Sequence, residues 1–214
     1  EEGLADTIDS LQRGGFSTVG AGFTREEITR PFIWETNEGK LAIINWVFPE
    51  THPDWERVPG PNCWPGEIEA KRTIGEVKRE VDWVLIFLHW SDELFHYPRL
   101  EDRVIARGLA DAGADLLIGH HPHVVQNIEL YNEKLIFYSL GNFIFDQYFS
   151  EETQQGLVIG LEIYPEEKIY SIYPVESVLS QPQLMEEPEE FLEKLASNSS
   201  EELRESIKKG KIIR

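Results

Sequence analysis

The chain has 214 residues, 41% hydrophobic and 28% charged, which is enough apolar material for one sizeable core. It holds no apolar run near the ~20 residues that a membrane-crossing helix needs. A formal net charge of -19 argues against a nucleic-acid binder, which would normally show a basic stripe, and makes docking of a polyanion depend on local positive charge such as metal ions. The single cysteine, Cys63, excludes an internal disulfide framework and a Cys-rich zinc site, so any metal must be held by His, Asp, Glu or Asn.

The chain opens at Glu1 and not at Met, and it reads as a fragment or processed chain, with any secretory signal outside it. Leu4, Ile8 and Leu11 predict an opening helix closed by Gly14-Gly15. Lys40 to Phe48 predicts a buried strand. The following loop, Pro49 to Pro65, carries His52, Asp54, Trp55, Cys63 and Trp64, and reads either as an active-site cover or as an ordered surface excursion. Within it Cys63 is expected to be a small buried side chain. A helix from about Gly66 to Glu80, with Ile68, Ile74 and Val77 near one face, leads into a strand from Asp82 to Trp90. A helix from about Leu100 to Ala112, with Leu100, Val104, Gly108 and Leu109 inward, leads into a strand from Ala114 to Gly119. This alternation predicts a parallel sheet covered by helices.

Both strands end in histidine. His89 closes the apolar run Val84 to Leu88, and Gly119-His120-His121-Pro122-His123 follows the run Ala114 to Ile118, so both sit where parallel strands deliver functional residues. Imidazole fills a core poorly but is the commonest protein ligand for zinc, manganese and iron-type metals, and the expected ligands are His89, His121 and His123. Pro122 biases His121 toward an extended conformation, which presents the rings of His121 and His123 from a loop. Adjacent side chains on an extended backbone point apart, so with His121 and His123 inward His120 is expected either to support the ligands from behind or to contact substrate, and it stands as a catalytic candidate. The competing reading is a polar loop whose histidines cap a strand end or bond backbone carbonyls. His96 reads as a surface or packing residue.

Beyond the cluster, Val124 to Leu130 and Leu135 to Leu140 flank one hairpin turn, Tyr131 to Lys134. Gly156 to Tyr164 and Ile169 to Val175 flank another, Pro165 to Lys168. An antiparallel sheet is therefore expected after the parallel part. Pro188 to Ala196 and Ser200 to Lys209 read as charged helices, followed by a basic tail from Lys211 to Arg214. The expected organisation is a main domain over residues 1–178 and a charged helical extension over 179–214.

His89-Trp90 with Glu93 following, the run Ala112-Gly113-Ala114-Asp115 through His123-Val124, and Tyr138-Ser139-Leu140-Gly141-Asn142-Phe143-Ile144-Phe145-Asp146 occur in this order. Together they resemble the signatures of the CapA family of capsule and poly-γ-glutamate synthesis proteins, related to the metallophosphatases. The resemblance covers Gly3 to about Tyr173. It implies an α/β, calcineurin-like metallophosphatase fold, layered α-β-β-α with mixed sheets and here N-terminally truncated. The family's first Asp motif, its Asn-Leu-Glu motif and its Asn-Asn-His motif would precede Glu1. It also implies two divalent ions (Mn, Zn or Fe, not distinguished) about 3.5 to 4 Å apart that activate water for hydrolysis. The ligands carried over are His89 and the pair His121 and His123. Glu93 is expected to accept a proton or orient a ligand, or else to be a solvated glutamate. Asn142 and Asp146 are expected to buttress the histidine loop, although Asn142 also suits a plain turn.

Two functional classes stay open. One is a metal-dependent hydrolase acting on a phosphoester or on an amide of an anionic glutamate polymer. The other is a non-catalytic assembly or export factor working with other capsule-synthesis components. The family is often membrane-associated or extracytoplasmic through an N-terminal segment, and the residues at hand leave the compartment open.

Overall fold

The computed structural model describes residues 2–51, 59–164 and 166–214, so His52, Asp54 and Trp55 of the Pro/Trp loop lie outside the described residues. The chain divides into two units, residues 1–90 with 107–117 and residues 91–106 with 118–214.

The first unit contains α1 (Glu2–Arg13), β1 (Ala21–Gly22), α2 (Arg25–Thr29), β2 (Phe32–Thr36), β3 (Gly39–Val47), β4 (Gly60–Pro61), α3 (Glu67–Val77) and β5 (Trp83–His89). The division then falls inside α4 (Leu100–Asp111) and β6 (Leu116–His120). Strand β3 pairs antiparallel with β2 and parallel with β5, in a register that runs from Leu41 opposite Trp83 to Val47 opposite His89. Both strands are nearly continuous runs of apolar residues; one face is closed, with Ala42, Ile44, Val84, Ile86 and Leu88 at 2% exposure or less, while Ile43, Asn45, Trp83 and Phe87 at the alternate positions are half-buried. His89 therefore stands at the carboxyl end of a parallel strand, as its sequence predicts.

Two helix faces differ from expectation. In α3, Ala70 and Ile74 are buried and Ile68 is exposed; it lies two and six residues before them, roughly 200° and 240° round the helix. In α4 the buried row is Asp102, Ala106, Leu109 and Ala110, so Leu100 and Val104, each two residues before a buried position, face out. Cys63 is half-buried, not fully buried. Trp64 in the same loop stacks on Phe48 at 4.6 Å and meets Trp46 edge-on. Asp115 accepts hydrogen bonds from the Val84 N–H and from Lys78 Nζ, both at 2.8 Å, and so ties the start of β6 to β5. Gly113 permits the turn before it with φ of 123°.

The second unit adds β7 (Ile128–Tyr131), β8 (Lys134–Phe137), β9 (Gln155–Ile163), β10 (Lys168–Val178), β11 (Gln181–Leu184), α5 (Glu189–Asn198), α6 (Arg204–Lys208) and β12 (Lys211–Ile213). Strands β7 and β8 form the first expected hairpin, turned by Asn132 and Glu133 with φ of 47° and 63°, the sign that the twist of a two-residue hairpin demands. Strands β9 and β10 form the second, and the sheet they build is antiparallel in every described pairing: β10 also pairs with β11 and β12. The basic tail is thus a strand, with Ile213 opposite Ile169. Ser199 and Ser200, just past α5, accept from the N–H groups of Ile128 and Leu130 and so cover the outer edge of β7. The α/β class with mixed strand directions agrees with the sequence reading. Among the described residues no helix is long and apolar enough to cross a membrane.

Candidate metal site

Glu93, His121 and His123 come together in the second unit, each offering one ligand atom, and these atoms all lie within 4.8 Å of one another. The histidine loop differs from the extended backbone that Pro122 predicts: His121 has φ of 98° and His123 φ of 61°. Positive φ at a non-glycine residue is costly and persists only where surrounding contacts impose it. Here the reversal folds the loop back so that the two imidazoles converge, with centroids 5.6 Å apart and planes tilted by 58°.

Several contacts impose this geometry. The Leu94 N–H donates to the Pro122 carbonyl at 2.8 Å, which holds the residue after Glu93 against the residue between the two histidines. The Glu93 loop is itself anchored at the start of α4. Asp102 is fully buried and accepts from Ser91 Oγ at 2.7 Å, from the Arg99 N–H at 2.9 Å and from the Arg99 guanidinium at 2.7 Å.

His123 is oriented from behind. Its Nδ1 lies 2.9 Å from Asn142 Oδ1. Asn142 is buried, and its Nδ2 donates to the Thr153 carbonyl at 2.9 Å and to Gln147 Oε1 at 3.1 Å. With both amide protons committed, Oδ1 can only accept, so His123 carries its proton on Nδ1 and leaves the Nε2 lone pair free for a metal. That Nε2 stands 4.0 Å from Glu93 Oε1, beyond hydrogen-bond reach. Two glycines permit the arrangement. A Cβ on Gly156 would lie 2.0 Å from the Asn142 carbonyl oxygen, and one on Gly141 would lie 2.6 Å from the Gln155 carbonyl.

The remaining predicted residues fall outside this cluster. His120 ends β6 half-buried, and burial pushes its imidazole below the ordinary histidine value, which favours the neutral ring near pH 7. His89 is half-buried at the end of β5, in the other unit. Asp146 is exposed, and the buttressing contact comes instead from its neighbour Gln147. Gln147, Thr153 and Gly156 escaped the sequence reading; a glycine at the start of a strand is the one signal that marks close backbone approach. Phe145 is also unforeseen, with its ring 5.1 Å from that of His123.

Residues 1–147 match the family model described as bacterial capsule synthesis protein PGA_cap. The chain is 33% identical over 159 residues to the PGA biosynthesis protein CapA of Bacillus subtilis (strain 168), covering 73% of this chain and 42% of that protein. It is 30% identical over 162 residues to the capsule biosynthesis protein CapA of Bacillus anthracis, covering 73% and 39%. A probable polyglutamine synthesis accessory protein of Mycobacterium tuberculosis is 27% identical over 157 residues, covering 68% and 41%. The chain thus spans about two fifths of the length of these relatives. Among solved structures, a putative 5'-nucleotidase from Staphylococcus aureus in complex with alpha-ketoglutarate aligns with 83% of this chain and 33% of its own, at a TM-score of 0.46 and 11% identity. The motifs that suggested the family at the outset all lie within the matched residues, and the chain belongs to the bacterial capsule synthesis (PGA_cap) family.

Proposed function

We propose that Glu93, His121 and His123 hold a divalent metal ion in a protein of capsule or poly-γ-glutamate synthesis, and that the site hydrolyses a phosphoester or a γ-glutamyl amide. The observation that carries this reading is the convergence of three ligand atoms within 4.8 Å, one of them on an imidazole whose tautomer Asn142 fixes for coordination. Two imidazoles and one carboxylate suit Zn, Mn or Fe. Because both histidines coordinate as neutral rings, one carboxylate leaves net positive charge at the site, which a chain of net charge -19 needs in order to receive an anionic substrate.

A bound ion would supply Lewis-acid polarisation of the scissile group and a lowered pKa for water. The chain's own residues do the rest. Asn142 holds the His123 proton at Nδ1, and the role proposed for Glu93, exposed beside the histidines, is to orient the ion or take up a proton. His120, next to His121 in the chain, is proposed as a substrate contact. The resemblance implies a second ion; these three residues supply ligands for one.

The test is turnover of bis(p-nitrophenyl) phosphate and of γ-glutamyl dipeptides with added Mn or Zn, beside His123→Ala. Metal-dependent release that the substitution removes supports hydrolysis. Release equal in both proteins, or none with any metal, rejects it. A second reading, an assembly factor for an anionic polymer and its synthesis partners, draws on the run Phe143 to Phe149, where five large apolar side chains are exposed beside the site.

A further inference from the structure

The segments that supply and support the metal ligands also keep large apolar side chains in solvent. Leu94 and Phe95 directly follow Glu93, and both are exposed. Phe143, Ile144, Phe145, Tyr148 and Phe149 follow Asn142, the residue that holds His123, and all five are exposed. Both segments are tied down by hydrogen bonds. The Leu94 N–H donates to the Pro122 carbonyl at 2.8 Å, between the two histidines. In the other segment Ser180 Oγ donates to the Phe145 carbonyl at 3.1 Å and accepts from the Tyr148 hydroxyl, while Thr153 Oγ1 donates to the Gln147 carbonyl at 3.0 Å. Ordered backbone thus holds the apolar groups out, and a patch of this kind marks a place where something apolar is bound.

Phe145 is the member that reaches the ligands. Its ring lies 5.1 Å from that of His123, with the planes tilted by 31°, and 41% of the residue stays open. A metal–nitrogen bond on that same imidazole spans only ~2.1 Å. The part of a substrate bonded to the group that the ion holds is therefore the part that meets Phe145.

We propose that Phe145 selects the substrate of the metal site, and that this substrate is a phosphoester of an apolar alcohol: its phosphate meets the ion, and its hydrocarbon part covers Phe145 and the exposed apolar side chains beside it. The inference rests on the metal-site reading and chooses between the two substrates named there. A γ-glutamyl chain carries a carboxylate on every residue, and it would set those charges against Phe145 and against the exposed carboxylate of Asp146. A phosphoester of a polar alcohol would leave the apolar side chains in water. Covering the open part of Phe145, ~80 Å² of a side chain of about 200 Å², is worth roughly 10- to 30-fold in affinity.

The experiment is calorimetric titration of the zinc-loaded protein, its metal content measured first, with ethylphosphonate and hexylphosphonate, which share one head group and are not hydrolysed, and with γ-glutamylglutamate. Hexylphosphonate is expected to bind at least about tenfold more tightly than ethylphosphonate, and γ-glutamylglutamate no more tightly than ethylphosphonate. Phe145→Ala is expected to bring the hexyl-to-ethyl ratio below about threefold; taking the ratio removes any change in the strength of the shared head-group contact. Phe145→Gln, which keeps bulk beside His123, is expected to do the same and serves if Phe145→Ala loses its zinc. No binding of either phosphonate to the zinc-loaded protein, equal affinity for the two, tighter binding of γ-glutamylglutamate than of hexylphosphonate, or a hexyl preference that persists in the Phe145 variants would each overturn the proposal and leave metal binding standing. Hexylphosphonate binding unchanged by removal of zinc would overturn it by parting the apolar run from the ion. Self-association of the parent that Ile144→Ser abolishes, read by sedimentation, would overturn it by giving the run to a second copy. A parent that takes up no zinc would remove this proposal and the metal-site reading together.

Discussion

Replacing Asn142 by Leu keeps the side-chain size and removes every polar contact that orients His123. The His123 Nδ1–H loses its acceptor at 2.9 Å, and the Thr153 carbonyl and Gln147 Oε1 lose donors at 2.9 and 3.1 Å. Without the acceptor the ring is free to change tautomer or rotate, and removal of such a supporting group costs about 10- to 100-fold in metal affinity, roughly 1.4–2.8 kcal/mol. The unpaired buried carbonyl adds a fold penalty of about 1–3 kcal/mol, a drop of roughly 2–12 °C in unfolding midpoint for a chain of this size. Asn142→Asp separates the two effects: it keeps an acceptor for the Nδ1–H and loses the donors, so it should lose stability and hold metal nearly as well as the parent. Zinc affinity by competition with a chromogenic chelator, read beside thermal unfolding, distinguishes them. An Asn142→Leu protein that is folded and binds zinc as tightly as the parent would refute the orienting role.

Three other outcomes follow from the same geometry. Gly156→Ala places a Cβ 2.0 Å from the Asn142 carbonyl oxygen, so the backbone must shift; about 1–3 kcal/mol of stability and a parallel fall in zinc affinity are expected, and an unchanged unfolding midpoint would contradict the close approach. Asp102→Ala removes the buried acceptor of the Ser91 hydroxyl and the Arg99 N–H, while the Arg99 guanidinium keeps Asp92 at 3.5 Å; a loss of about 1–3 kcal/mol is expected in chemical denaturation, with no measurable loss counting against the anchor. Burial raises the Cys63 thiol above its ordinary value, so its thiolate fraction is smaller than that of a free cysteine at any given pH. Iodoacetamide labelling should therefore reach its half-maximal rate at higher pH than a cysteine peptide does, and a midpoint at or below the peptide's would show that the burial is absent.

The alternation of apolar runs and helical patterns carried the parallel strands, and short polar breaks between apolar runs carried both hairpins, because a buried apolar run and a tight turn leave strong marks at short range. The helix faces of α3 and α4 were less legible. Ile68, Leu100 and Val104 are apolar and suitably spaced, yet the inward rows are set by tertiary partners, and in α4 the inward row begins with a charge, Asp102, whose burial depends on Arg99 and Ser91. Strand β12 was hidden in a basic tail because its pairing with β10 is a long-range choice that four residues cannot announce. At the site, His121 and His123 were visible as a pair, and Glu93 was visible as a neighbour. The positive φ that turns both rings together was not, since Pro122 argues locally for an extended His121 and the loop contacts override it. Gln147 and Thr153 act through Asn142, at a remove from the metal ligands, and such residues carry no motif of their own.

The measurement that bears most directly on the account is the metal stoichiometry of the protein after loading with zinc or manganese and removal of excess, by elemental analysis, beside a variant carrying both His121→Ala and His123→Ala. The account predicts about one ion per chain at this cluster, lost in the variant while its unfolding midpoint stays within a few degrees of the parent's. Metal retained in full by the folded variant, or none bound by the parent with either ion, would contradict it and leave the histidines as parts of the loop's own scaffold.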